Sequence, residues 1–374
     1  MVGVVSAWKE WRERREILRD IRRRKGDNEE RNRFLARDLM EEALAALSLN
    51  DRRKGAAIWA QTIESYPREI RKSPLALEIL LKLNRYDEAE KLMREGHAKS
   101  PRDPYFRKGL GSIALTRGDY DAAIEHYAAL RKQFPAEAIG YTLGAQALAA
   151  KNRTEEADAL VQQAMRQFPE EIGGFIEYGR LAVQRKDWEE ALRRWKIVDD
   201  SFVTRPFGVQ GRSQALIELG RYDEADEILV AARVRFPTDS ALLAEYARCA
   251  QARGDFPESV KRWKRRIERA PMEVYGYYAA SQALVEMGEF AEAEAMLRAA
   301  VDRFPVEEGP LIYLAKFLHG RGAFPAEAEA WAALRQVFVD NEESYIRGAD
   351  ALRKVGRPEE ADTLLEEHKK RFKH

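Results

Sequence analysis

The chain has 374 residues, and its 64 lysines and arginines stand against 63 acidic residues for a formal net charge of +1, so nucleic-acid binding through a strongly basic face is excluded as the default. Its single cysteine, Cys249, excludes an intramolecular disulfide and with it a disulfide-stapled secreted fold. There is no apolar run of about 18 residues to cross a membrane, and MVGVV followed at once by charge lacks the apolar core of a signal peptide, so a cytoplasmic protein is expected.

Residues 1–33 form the first predicted object. Val4, Trp8, Trp11, Leu18 and Ile21 fall close to one helical stripe, while Arg12, Arg14, Arg15, Arg19, Arg22, Arg23, Arg24 and Lys25 occupy the rest. The spacing predicts a basic amphipathic helix. Such a helix lies on an anionic membrane surface, docks on a partner through Trp8 and Trp11, or folds back to cap the core of the adjoining segment. A peripheral membrane location is therefore kept beside the cytoplasmic one.

From residue 34 to 374 a single period governs the chain. The tripeptide Arg117-Gly118-Asp119 recurs at Arg253-Gly254-Asp255, an interval of 136 residues, which is four steps of 34. Stepping by 34 gives Asn50, Asn84, Gly118, Asn152, Lys186, Gly220, Gly254, Gly288, Gly322 and Gly356, mostly residues that accept a left-handed backbone and close helices. A second ladder, seventeen residues out of phase, runs Pro67, Pro101, Pro135, Pro169, Val203, Pro237, Pro271, Pro305, Val339 and Lys373. No rung needs an insertion, so the chain is an array of ten units. Between a proline rung and the next glycine rung, apolar residues such as Tyr141, Ala145 and Leu148 recur at helical spacing. After the turn come an aromatic, acidic residues and then Ala89, Ala123, Ala157, Ala191, Ala225, Ala293 or Ala361, which predicts a second helix opened by negative charge. A small residue also repeats in the first helix, at Gly111, Ala145, Gly179, Ser213, Ala247, Ser281, Ala315 and Ala349. Close helix packing is expected at both.

This pattern resembles the tetratricopeptide repeat family over residues 34 to 373. In the unit Pro104 to Glu137, the residues Leu110-Gly111, Gly118-Asp119-Tyr120, Ala123, Tyr127 and Pro135 stand at the family's signature offsets. The resemblance implies an all-α fold, a right-handed superhelical solenoid of helix-turn-helix units whose first helices line a concave channel. Gly55, Ser259 and Glu327 depart from the second-helix alanine, and Leu77 from the small first-helix residue. At Glu327 a small register shift is expected to let Ala328 take over. The RGD tripeptides fall in the inter-helix turn that this fold needs, so they are read as punctuation and not as adhesion ligands.

A finer period of 68 lies inside the first. Trp59, Tyr127, Trp195, Trp263 and Trp331 alternate with Met93, Val161, Leu229, Leu297 and Leu365 in the middle of the second helix. The same doubling gives Glu88-Ala89-Glu90, Glu156-Ala157-Asp158, Glu224-Ala225-Asp226, Glu292-Ala293-Glu294 and Glu360-Ala361-Asp362. The rings are expected to be core, and the paired carboxylates to be solvated helix starts. Gly109-Leu110-Gly111-Ser112-Ile113-Ala114 imitates a dinucleotide fingerprint but neither follows a strand nor opens a helix. His97, His126, His319, His368 and His374 are dispersed without ligand spacing, so no catalytic residue, metal site or cofactor is expected.

What remains for function is displayed surface. The residue one step beyond the small first-helix position reads Ser112, Gln146, Arg180, Gln214, Arg248, Gln282, Lys316 and Asp350. Gln offers a donor and an acceptor to a peptide backbone, and Arg grips a carboxylate with two hydrogen bonds. Phe207, Gln210, Tyr275 and Tyr278 lie one turn away on similar faces. The expected function is a non-catalytic adaptor that holds an extended protein or peptide segment, one bearing acidic residues, in the channel. The alternative is a scaffold subunit of a membrane-associated assembly, such as one that builds or exports a cell-surface polysaccharide, docked by residues 1–33. Aromatic and amide side chains also suit a glycan.

Overall fold

The computed structural model describes residues 28–48 and 52–372. Trp8 and Trp11, with the rest of residues 1–27, lie outside the described residues. The fold is all-α, and among the described residues there is no strand. Contacts divide the chain into two compact units, the first ending at Glu177 and the second opening at Tyr178.

The helices come in antiparallel pairs. They are α1 (Asn28–Ser48) with α2 (Arg52–Ser65), α3 (Pro74–Lys82) with α4 (Tyr86–Lys99), α5 (Pro104–Arg117) with α6 (Tyr120–Gln133), and α7 (Ala138–Ala150) with α8 (Thr154–Gln167). Next are α9 (Ile172–Gln184) with α10 (Trp188–Ser201), α11 (Phe207–Glu218) with α12 (Tyr222–Arg235), and α13 (Ser240–Arg253) with α14 (Phe256–Arg269). The last are α15 (Val274–Glu286) with α16 (Phe290–Arg303), α17 (Glu308–Gly320) with α18 (Phe324–Val337), and α19 (Glu342–Lys354) with α20 (Pro358–Arg371). From α3 and α4 onward, each pair turns at a rung of the first ladder. Asn84, Gly118, Asn152, Lys186, Gly220, Gly254, Gly288, Gly322 and Gly356 all have positive φ.

Lys186 is the rung whose side chain suits that backbone least, at φ 57°. A left-handed conformation costs a residue with a Cβ roughly 1–2 kcal/mol, of which the greater unfolded-state entropy of glycine takes back a part. Lys186→Gly should therefore raise stability in urea denaturation by about 0.5–1 kcal/mol. A loss of stability would show that the turn is held by the lysine side chain.

The period of 68 appears first in the way second helices begin. Asp119, Asp187 and Asp255 cap α6, α10 and α14 by accepting from the backbone N–H groups of Ala122, Glu190 and Glu258 at 3.1–3.2 Å. In four of the intervening pairs an arginine stands at the cap and grips the carboxylate three residues on, whereas α16 has Glu289 there. Arg85 holds Glu88, Arg153 holds Glu156, Arg221 holds Glu224 and Arg357 holds Glu360, each through two nitrogens. These arginines hold the Glu156, Glu224 and Glu360 carboxyls below the ordinary range. The paired carboxylates are thus exposed but not merely solvated, because the first of four pairs has a guanidinium partner and that of the fifth, Glu292, has the Lys264 ammonium.

The core lies between second helices and the first helices on either side. Trp59, Tyr127, Trp195, Trp263 and Trp331 are all buried, as the alternation predicts. Small residues sixteen positions before each ring make room for it, and Trp195 and Trp263 have one sixteen positions after as well. A Cβ on Gly179 would stand 2.6 Å from the Trp195 ring, one on Gly211 would overlap the same ring, and one on Gly111 would stand 2.8 Å from Tyr127. Trp263 packs among Ala247, Ala279 and Ala280. The proline ladder supplies acceptors between successive pairs. Gln133 donates to the Pro101 carbonyl and Gln167 to that of Pro135, as do Arg235 to Val203 and Arg269 to Pro237, at 2.6–3.0 Å.

The irregular positions are absorbed locally. Leu47 fills the space beside Gly55, and the Ser259 hydroxyl donates to the Ala247 carbonyl at 3.3 Å. Leu77 packs against the core of the first unit. The expected register shift at Glu327 does not occur. Glu327 itself occupies the alanine position at 1% exposure, α18 is unbroken around it, and Trp331 stays buried. Its carboxylate accepts from Trp331 Nε1 at 3.1 Å and contacts His319 Nδ1 at 3.0 Å, so the misfit is compensated by hydrogen bonds.

Candidate functional site

The row read from the sequence stands on the solvent-facing flank of the first helices. Arg180, Gln282 and Lys316 are exposed, and Ser112, Gln146, Gln214, Arg248 and Asp350 are half-buried. Helical geometry explains this: the small residue one step earlier is turned into the core, which rotates its successor about 100° away.

Three row neighbourhoods are brought together by contacts. On α15, Tyr275, Tyr278 and Gln282 share a face at i, i+3 and i+7, and Gln282 Nε2 donates to the Tyr278 hydroxyl at 2.8 Å. Tyr278 stacks on Tyr313 of α17 with ring centroids 3.9 Å apart and planes 17° from parallel. Tyr275 is 47% exposed and sets its ring edge-on to Trp263 at 5.6 Å. On α11, Phe207, Gln210 and Gln214 repeat the same spacing, with Phe207 40% exposed and Gln210 donating to Asp239 at 3.3 Å. The third is ionic. Arg248 pairs with Glu245 at 3.0 Å and Lys316 with Glu343 at 3.2 Å.

Gln146 belongs to the first unit, where its amide donates to the buried Glu177 carboxylate at 2.8 Å. Ser112 is spent on the hydroxyl of the Tyr127 ring at 3.2 Å. Most of the row is therefore already partnered within its own face, and a ligand there exchanges hydrogen bonds instead of supplying missing ones.

Sequence reasoning missed the residues that do the partnering. Glu177 and Glu245 are 68 residues apart on first helices, a recurrence visible in the sequence. Burial pushes the Glu245 carboxyl up, with Arg248 opposing, and its Oε2 is buried without a hydrogen bond. A second missed pair holds the back of the second unit. Arg194 lies 4.0 Å over the Tyr178 ring and donates to the Tyr178 carbonyl, and Arg262 lies 3.5 Å over Tyr246 and donates to its carbonyl. Tyrosine and arginine recur here at the same interval of 68.

The motifs set aside as structural are used structurally. Gly109 and Gly111 lie inside α5 against Met93 and Tyr127. Arg117 of the first RGD pairs with Asp87 and Glu90, Arg253 of the second pairs with Asp223 and Asp226, and both aspartates cap helices. Cys249 is buried, and burial followed by the nearby Asp226 pushes its thiol up to about 12, away from nucleophilic chemistry. Among the described residues no cluster of three or more His, Cys, Asp or Glu could hold a metal ion, and no helix is long and apolar enough to cross a membrane.

Among known families, the sequence profile of the tetratricopeptide repeat matches residues 75–138, 211–272 and 278–336. A crystal structure of a tetratricopeptide repeat protein from Parabacteroides merdae is similar over 72% of this chain and 98% of that chain, at 15% identity and a TM-score of 0.43. No curated protein matches the chain.

Proposed function

We propose that this chain, a member of the tetratricopeptide repeat family, is a non-catalytic adaptor that holds an extended protein segment along the first-helix face of its second unit. The observation that carries this reading is the face of α15 and α17. Tyr275, Tyr278 and Tyr313 offer ring area at small entropic cost, and Gln282 sits beside them with amide donors and an acceptor. Aromatic anchors of this kind dominate binding energy at protein interfaces. The charged members of the row set register around them. A partner carboxylate takes the place of Glu245 on Arg248 or of Glu343 on Lys316, which makes acidic residues in the segment an advantage but not the main source of affinity.

The test is capture of a partner by the tagged full-length chain, followed by titration of that partner against variants. Tyr275→Ala with Tyr278→Ala should weaken binding by at least about tenfold, since truncating two anchors typically costs more than 1 kcal/mol each. Arg180→Glu with Arg248→Glu should weaken binding less and reduce its salt dependence, because exposed charges are screened over about 8–10 Å. Unchanged affinity in both variants, with helicity intact, would place the partner elsewhere and end this reading.

A further inference from the structure

We propose that His319 is an anion contact on the first-helix face of the second unit, oriented by the buried Glu327 and switched by pH. The proposal rests on the adaptor reading and adds a residue and a condition to it.

The starting point is a carboxylate in the wrong place. Seven other second helices put alanine at this position, and α18 puts Glu327 there at 1% exposure. A buried ionised carboxylate needs donors or a counter-charge. One donor is Trp331 Nε1 at 3.1 Å. The related indoles of Trp59, Trp195 and Trp263 have buried Nε1 atoms without any acceptor, so the Glu327 contact sets Trp331 apart from them. The other contact is His319 Nδ1, 3.1 and 3.0 Å from the two carboxylate oxygens.

These contacts fix what the imidazole presents outward. With Nδ1 turned in as a donor to the carboxylate, the neutral ring carries its lone pair on Nε2, at the opposite edge. The His319 side chain is 43% exposed. On α17 it follows Lys316 by three residues, so the two heads stand about 5–6 Å apart at their Cβ atoms on one face.

The charges around the ring decide what protonation does. From α19, Asp350 is paired with Lys354 at 2.8 Å and Glu343 with Lys316 at 3.2 Å, and the Lys354 ammonium lies 4.9 Å over the Phe324 ring. Phe324 in turn sets its edge against the imidazole at 6.0 Å. Lys354 first, then His319 and Arg347, hold the Asp350 carboxyl below its ordinary value. Each exposed acid thus has its own lysine, and among the described residues Glu327 has the imidazole for its counter-charge. Arg347 adds a further cation 3.9 Å from Glu343, so with the ring neutral the patch is close to balanced, and it is the lone pair on Nε2 that repels a carboxylate. When the ring takes a proton from solvent at Nε2, the Glu327 charge is balanced and the same atom becomes a donor. A peptide carboxylate then bridges His319 Nε2 and Lys316 Nζ.

The test uses the full-length chain and a fluorescently labelled octaglutamate peptide, titrated at pH 6 and pH 8 at constant ionic strength, a window that spans the range in which imidazole as a class changes charge. Binding should be at least about threefold tighter at pH 6 than at pH 8, a histidine-borne difference that His319→Gln abolishes while the folded state persists. Nitrogen-15 shifts of the His319 ring should show the Nδ1–H tautomer at pH 8. Absent binding at pH 6, equal binding at both pH values, or an Nε2–H tautomer at pH 8 would each overturn the proposal. Failure of the adaptor reading shows separately, as partner capture that survives loss of Tyr275 and Tyr278.

Discussion

Trp263→Ala should destabilise the second unit by about 3–5 kcal/mol, the range for removing a buried large ring from a core that cannot collapse around the gap. Trp263 is fully buried and packs against Ala247, Ala279 and Ala280. Alanines have no side chain to swing into the space, and the helix backbones that carry them are fixed by their own hydrogen bonds. The cavity therefore stays open. Urea denaturation followed by circular dichroism measures the loss, and Glu224→Ala, which breaks only an exposed pair with Arg221, should leave the midpoint nearly unchanged. A milder pair separates packing from hydrogen bonding. Trp263→Phe removes an indole N–H that has no acceptor, whereas Trp331→Phe takes a donor from buried Glu327. The second should cost about 1–3 kcal/mol more than the first. Equal losses would mean that the Glu327 contact contributes nothing.

The second large effect inverts the usual sign of a glycine substitution. Replacing a helical glycine by alanine ordinarily stabilises by about 1 kcal/mol. At Gly208, in the first turn of α11, an added Cβ would overlap the backbone nitrogen and Cα of Asp199 in α10. Backbone cannot step aside as a flexible side chain can. Asp199 is further held by Arg212 at 2.7 Å and by Arg235 at 3.4 Å, so α10 and α11 would have to part along their length. Gly208→Ala should cost about 3 kcal/mol. Gly309, also near the start of a first helix, meets nothing closer than the Tyr313 ring at 3.6 Å, and Gly309→Ala should be neutral or stabilising. Denaturation midpoints of the two variants that move in the same direction would contradict the close approach.

How far the sequence could be read depended on whether a feature is written in one residue or in a pair. A positive φ needs glycine or asparagine, so the turns were visible, and even Lys186 was placed by its neighbours on the ladder. Ring burial was visible because core residues repeat with the helix. Glu327 was misjudged because its remedy comes from His319, eight residues upstream on another helix, and from Trp331, one turn downstream. Taken alone, a glutamate in an alanine position signals only misfit. The row of the candidate site was likewise visible as positions, but its charge state was not. Arg248 and Lys316 read as free cations until Glu245 and Glu343 are brought beside them, and the second of those lies on the next first helix. Division of contacts between Glu177 and Tyr178 left no mark at all, since the period runs through it unchanged.

The alternation of rings and small residues also restricts how the chain can gain or lose length over evolutionary time. Trp195 faces Gly211 on the following first helix. Excising a single 34-residue unit after Trp195 would bring position 245 into that place, and a glutamate would be driven onto an indole where even a methyl group does not fit. Excising two units would bring position 279, an alanine, so that the glutamate is replaced by a single methyl group and the misfit is smaller though not removed. At this junction a deletion of 68 residues is therefore milder than one of 34, although Tyr127 and Trp331 already have Leu143 and Arg347 at the same offset. A protein engineer changing the length of this array next to Trp195 should therefore move four helices at a time.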